Sequence, residues 1–76
     1  MTRHVLDVRH LLCPLPVIRT QHAIAQLDPG DTLEVQATDP GALHDIPAWC
    51  RIHGHEVLST SQRDTDVRIT LLVKEA

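Results

Sequence analysis

Residues 32–38, Thr-Leu-Glu-Val-Gln-Ala-Thr, alternate without a break: Leu33, Val35 and Ala37 fall on one face of an extended chain, and Glu34, Gln36 and Thr38 on the other. A strand of this kind is covered on one side only. The chain therefore needs helix for the apolar face and can leave the other face to water. The remaining periodicities supply that layer. "CPLPVIRTQHAIAQL", residues 13–27, repeats Val17, Thr20, Ala23, Ile24 and Leu27 at helical spacing and is stopped by Asp28, Pro29 and Gly30. Leu43, Ile46, Trp49, Cys50 and His53 trace a second helical stripe, opened by the turn residues Asp39-Pro40-Gly41 and closed by Gly54, with Pro47 expected to kink or restart it.

"HVLDV" at 4–8 reads as a first strand, and "EVLSTSQ" and "VRITLLVK" as a hairpin joined across Asp64-Thr65-Asp66, with Val67, Ile69, Leu71 and Val73 on one face. The order is βαβαββ. With 76 residues and no repeat, the expectation is one domain over residues 1–76 of the α+β class: a two-layer α/β sandwich with a four-stranded mixed sheet and both helices on one face. Trp49, the single aromatic residue of the chain, is expected to be the one large residue of an otherwise aliphatic core.

Composition narrows the function. A formal net charge of -3 with no basic run removes the electrostatic basis for direct nucleic-acid binding. "MTRHVLDVRH" has neither the apolar stretch nor the cleavage site of a secretory signal, and no segment approaches the ~20 apolar residues of a membrane span. The expectations are a cytoplasmic monomer without membrane contact, and free thiols at Cys13 and Cys50. So small a core leaves little room for a walled cavity, so any chemistry should lie near the surface.

Cys13 is the residue that stands out. Placed at the N-cap of the first helix with Pro14 at its first position, it meets the partial positive charge of a helix N-terminus, which favours thiolate. Pro14 and Pro16 lack N–H groups, so the first-turn amides free to face the sulfur reduce chiefly to those of Leu15 and Val17. Two readings stand on this local pattern: an activated thiol, and a small buried hydrophobe beside a proline-started helix.

"LDVRHLLCPLPV" at 6–17, "LDPGDTLEVQATDPGALHDIPAWCR" at 27–51 and "GHEVLS" at 54–59 together resemble the TusA-like (SirA-like) sulfurtransferases, small sulfur-carrier proteins whose signature is Cys-Pro-x-Pro. The resemblance implies the βαβαββ sandwich and a carrier role for Cys13. In that role Cys13 accepts sulfane sulfur as a covalent persulfide, with no other cofactor, from a donor such as a cysteine desulfurase or a rhodanese. It then hands the sulfur to an acceptor protein in a relay serving tRNA thiolation, molybdenum-cofactor supply or dissimilatory sulfur oxidation. Pro14 and Pro16 would support the sulfur, and Arg9 and Arg19 are candidates for steering a partner. The chain departs from the family pattern at His10, where glycine is usual, and at Gln21 and His22, where lysines are frequent. His10 reads either as a replaced turn residue with its ring in solvent or as an imidazolium that favours thiolate.

Other residues carry plainer expectations. Cys50 on the apolar stripe reads as a buried inert thiol, with a resolving thiol as the alternative. Cys50, His53 and His55 match no common zinc spacing. Asp45 reads as a helix cap, with a catalytic acid as the alternative, and His4, His22 and His44 read as surface residues. Two further function classes stay open beside the carrier: a non-catalytic regulatory or interaction module, and a thiol redox sensor using Cys13 and Cys50.

Overall fold

The computed structural model describes residues 2–75 and has the element order β1 (Arg3–Asp7), α1 (Leu15–Ala25), β2 (Thr32–Ala37), α2 (Ala42–Ile52), β3 (Glu56–Arg63) and β4 (Asp66–Leu72). The four strands form one sheet in the order β1-β2-β4-β3, parallel between β1 and β2 and antiparallel elsewhere. It is the βαβαββ α+β sandwich with a mixed sheet that the periodicities predict.

Register explains the core. Leu33, Val35 and Ala37 stand opposite Leu71, Ile69 and Val67, so six apolar side chains share the inner face and all are buried. Thr20 and Ile24 of α1 and Ala42, Ile46 and Cys50 of α2 are buried with them. Thr20 is polar, but its hydroxyl donates to the Pro16 carbonyl at 2.8 Å, which removes the cost of burying it. The outer face carries a charge ladder instead: Glu34 takes Arg3 at 3.2 Å and Arg68 at 3.5 Å, and Arg68 also reaches Asp66 at 3.2 Å. The hydrogen bond from Gln36, then the two arginines, hold the Glu34 carboxyl below its usual range.

Four expectations need correction. Pro47 does not restart the second helix: α2 runs unbroken from Ala42 to Ile52 with Pro47 buried inside it. One missing backbone bond is tolerated because the apolar face that carries Pro47 is packed against the sheet. Trp49 is only half-buried. It lies outside the sealed core and stacks on His53, with centroids 4.4 Å apart, and on His55 at 5.7 Å. His4 is not a free surface residue: its register opposite Leu33 puts it on the inner face, where Nε2 meets Asp31 Oδ2 at 3.2 Å. Asp66 belongs to β4, paired with Arg63, so Asp64 (φ +56°) and Thr65 alone connect the hairpin.

Gly54 is the glycine whose conformation matters most to α2. At φ +81° it lets the chain reverse, so that the His55 N–H donates to the Cys50 carbonyl at 2.8 Å and the Gly54 N–H to the Arg51 carbonyl at 3.4 Å. This is a Schellman closure, and it delivers the chain into β3. No helix among the described residues is long and apolar enough to cross a membrane.

Candidate functional site

The site is built where β1 and β2 both deliver the chain to one end of the sheet. After β1, the buried Val8 prolongs the pairing by donating its N–H to the Gln36 carbonyl at 2.8 Å, and the chain then turns at His10. His10 stands at φ +68°, in the left-handed region that glycine occupies without cost, and its N–H donates to Thr38 Oγ1 at 2.8 Å. The imidazole is exposed. His10 is thus a turn residue at a position whose backbone suits glycine, which accounts for the departure noted in the sequence.

Beyond the turn, Leu12 and Cys13 are exposed, and the Cys13–Pro14 peptide is cis. Helix α1 begins at Leu15 with Pro14 as its N-cap residue and Pro16 in its first turn, so the sequence-based placement is corrected by one position: Cys13 precedes the cap. Pro14 is exposed and Pro16 buried. The Leu15 N–H is already committed to the Leu12 carbonyl at 2.9 Å.

The dominant polar neighbours of Cys13 are carboxylates. Asp39 Oδ2 accepts the Cys13 N–H at 3.1 Å, while Asp39 Oδ1 accepts the N–H of Gly41, the residue before α2, at 3.0 Å. The Cys13 thiol donates to Asp45 Oδ2 at 3.7 Å. Asp45 therefore turns its carboxylate to the sulfur and does not cap the helix; Asp39 satisfies the helix start. Partial desolvation, then the charge and hydrogen bond of Asp45 and the charge of Asp39, push the Cys13 thiol above its usual range. These carboxylates oppose the acidifying effect expected of the helix start. The two negative side chains outweigh the end of α1 because a full charge at hydrogen-bond distance acts more strongly than a partial one.

Exposed apolar residues flank Cys13 in sequence. Leu12 is 73% exposed, and Leu15 at 41% and Ile18 at 37% are partly exposed. Arg19 is exposed on the same helix, whereas Arg9 is held by Asp7 through a two-pronged ion pair, with both contacts at 2.9 Å. That pairing draws the exposed Asp7 carboxyl down to about 2. Of the residues named from sequence, Cys13, Pro14 and Pro16 share one segment with Leu12, while Arg9 is occupied by its own neighbour. Asp39 and the exposed collar of leucine and isoleucine were not singled out for a role. The Asp-Pro-Gly turn signals only a helix start, and the reach of Asp39 to Cys13 spans 26 residues of sequence.

Cys50 is fully buried, and desolvation raises its thiol to about 11. His53 and His55 are turned to Trp49, with His55 Nδ1 accepting the Lys74 N–H at 3.1 Å.

With this geometry in hand, the comparisons are decisive on family. The model of the family described as Sulfurtransferase TusA matches residues 4–73. The chain belongs to the TusA family. Its relatives include a candidate sulfur carrier protein of Neisseria meningitidis, 48% identical over 84% of this chain and 86% of that protein. The sulfur carrier protein TusA of Buchnera aphidicola is 34% identical over 82% of this chain and 78% of that one. In fold, the crystal structure of the SirA-like protein from Desulfitobacterium hafniense superposes with a TM-score of 0.82 at 22% identity, covering 95% of this chain and 99% of the other. The TusA family thus supplies both the architecture and the class of chemistry against which Cys13 is to be read.

Proposed function

We propose that this chain is a sulfur carrier that takes up sulfane sulfur as a persulfide on Cys13 and delivers it to an acceptor protein. The observation that carries the reading is the placement of the thiol: exposed, ahead of a proline-bounded helix start, with the exposed side chains of Leu12, Leu15 and Ile18 near it in sequence. A relay must let two different proteins reach one sulfur atom in turn, which a projecting tip permits and a deep pocket hinders. The uncovered apolar collar gives each partner surface to bury at the moment of transfer. The donor is of the cysteine desulfurase or rhodanese kind, and the acceptor is a sulfur-relay protein of tRNA thiolation, molybdenum-cofactor supply or dissimilatory sulfur oxidation. The cargo rides on Cys13 as covalent sulfur without a further cofactor, in a cytoplasmic monomer.

Intact-mass measurement after exposure to a persulfide donor tests the reading. One added sulfur atom is expected on the wild-type chain and on Cys50→Ser, and none on Cys13→Ser. Failure of the wild type to take up sulfur from any donor class overturns it.

A further inference from the structure

The resting thiol of Cys13 carries its proton and gives it to a hydrogen bond with a carboxylate, an arrangement at odds with a nucleophile that waits as thiolate. Any thiol that attacks sulfur must lose that proton first or as the bond forms. Among the described residues, Asp45 is the one side-chain base at hydrogen-bond distance from Sγ, at 3.7 Å. We infer that Asp45 is a catalytic residue of sulfur transfer, the acceptor of the Cys13 thiol proton as sulfur arrives and its donor as sulfur departs. The inference rests on the carrier reading of Cys13 and assigns a role at that same site.

The frame around the two residues is what makes the contact more than a chance approach of an exposed side chain. Asp45 lies in the first turn of α2, and the Cys13 backbone is tied to the start of that helix by the two oxygens of Asp39. Gly41 sits between the two carboxylates. A Cβ at that position would stand 3.4 Å from Asp39 Oδ1 and 3.7 Å from Asp45 Oδ2, in ordinary contact with both, so the two carboxylates flank the start of α2 closely. The Cys13 backbone and the first turn of α2 are thus joined through Asp39, which brings Sγ and Asp45 Oδ2 to 3.7 Å. Asp45 is also exposed, so a proton it receives can pass to water or to the leaving group. Asp39 does not share this role, because its two oxygens are taken by backbone N–H groups.

In the loading step, Sγ of Cys13 attacks the outer sulfur of a donor persulfide. The new S–S bond forms as the donor's own S–S bond breaks, and the electron pair of the broken bond leaves on the donor's inner sulfur as a thiolate. The thiol proton moves to Asp45 Oδ2 and from there to that thiolate. One thiol and one persulfide give one persulfide and one thiol, with no net oxidation. In unloading, an acceptor thiol gives its proton to Asp45 as its sulfur takes the outer sulfur, the electron pair of the broken S–S bond leaves on Cys13 Sγ, and Asp45 passes that proton to Sγ. A carboxylate serves both directions because it can accept and then donate at one atom.

The test uses glutathione persulfide as donor and follows uptake of one sulfur atom on the full chain by intact mass, across about pH 6 to 10. In parallel, iodoacetamide reports how readily the thiol ionises. Asp45→Asn removes the charge that holds the thiol protonated, so alkylation at neutral pH should speed up. It also removes the proton acceptor, so sulfur uptake at neutral pH should slow by about a hundredfold or more, within the range for loss of one general base. The two rates moving in opposite directions is the signature. Uptake by the variant should converge with wild type at the alkaline end, where the thiol ionises unaided, and Asp45→Glu should restore part of the neutral rate. Uptake by Asp45→Asn at or above the wild-type rate near neutrality overturns the inference, since the carboxylate would then only restrain the thiol. An equal deficit at every pH also overturns it, as a structural loss would produce. If wild type itself takes up no sulfur at any pH, the carrier reading falls and this one with it.

Discussion

His10 holds the left-handed backbone of the turn before Cys13 and donates its N–H to Thr38 Oγ1 at 2.8 Å, so the sulfur-bearing segment leaves the sheet through a strained residue fastened to the end of β2.

Replacing His10 by glycine should relieve that strain. A non-glycine residue in the left-handed region costs about 1–2 kcal/mol, and glycine returns roughly 0.5–1 kcal/mol of that through the greater freedom of the unfolded chain. The expected net gain is therefore about 0.5–1 kcal/mol in urea unfolding. His10→Val, β-branched and poorly suited to positive φ, should lose stability. Equal midpoints for glycine, histidine and valine would show that the turn does not carry strain.

Asp39→Ala leaves two backbone N–H groups, those of Cys13 and Gly41, without their acceptor. At about 1 kcal/mol for each lost bond, the chain should lose about 1–2 kcal/mol in denaturant unfolding. Hydrogen exchange at Cys13 and Gly41 should quicken more than exchange in β2 or β4. Uniform acceleration throughout the sheet would instead mean global destabilisation without a local release.

The two thiols should report very different environments. A disulfide reagent added to the native chain is expected to titrate one thiol promptly and the second only at the rate of unfolding, because Cys50 has no exposed surface. Cys13→Ser should abolish the fast phase and leave the slow one. Cys50→Ser should keep the fast phase while losing about 1–3 kcal/mol, the cost of a hydroxyl in an apolar core. Prompt reaction of both thiols would restore the redox-sensor class.

Acid should weaken the fold in two stages whose signs follow from the direction of each shift. Burial, then neighbouring His53, lowers His55 in the folded chain, so its contribution is full above the ordinary histidine value of about 6.5 and is lost as pH falls through the folded value. Asp31 is lowered by hydrogen bonds from the N–H groups of Thr2 and Asp28, then by His4, so its contribution is present above about 3.9 and disappears as pH falls through its lower folded value. His55→Phe keeps a ring against Trp49 and should flatten the melting-temperature profile between about pH 8 and 5, and Asp31→Asn should flatten the limb below about pH 4. An unchanged profile in either variant would remove that group from the acid response.

Much of the fold was legible because the sequence alternates where the sheet is one-sided. Leu33, Val35 and Ala37 and their partners Val67, Ile69 and Leu71 announced the core by period alone. His4 was misread because β1 is an edge strand whose short, mixed pattern conceals which face it turns inward, and Trp49 because size suggests burial where the half-covered end of a helix suffices. At the site, Cys13 and its prolines were visible as a local motif. The carboxylates were not, since the side chains of Asp39 and Asp45 meet the cysteine only after β2 and α2 are in place. The sign of the thiol's shift depended on those long-range contacts, and no reading of the helix start alone could have supplied it.

The division of labour between Asp39 and the collar has a consequence for evolution and for engineering. Sulfur placement is fixed from behind, by a carboxylate at the entry to α2, whereas Leu12, Leu15 and Ile18 face outward and carry none of that anchoring. On the carrier reading proposed above, recognition and cargo are separately adjustable. A lineage, or a designer, can rewrite three outward side chains to redirect the molecule to a new client without disturbing where its sulfur atom sits.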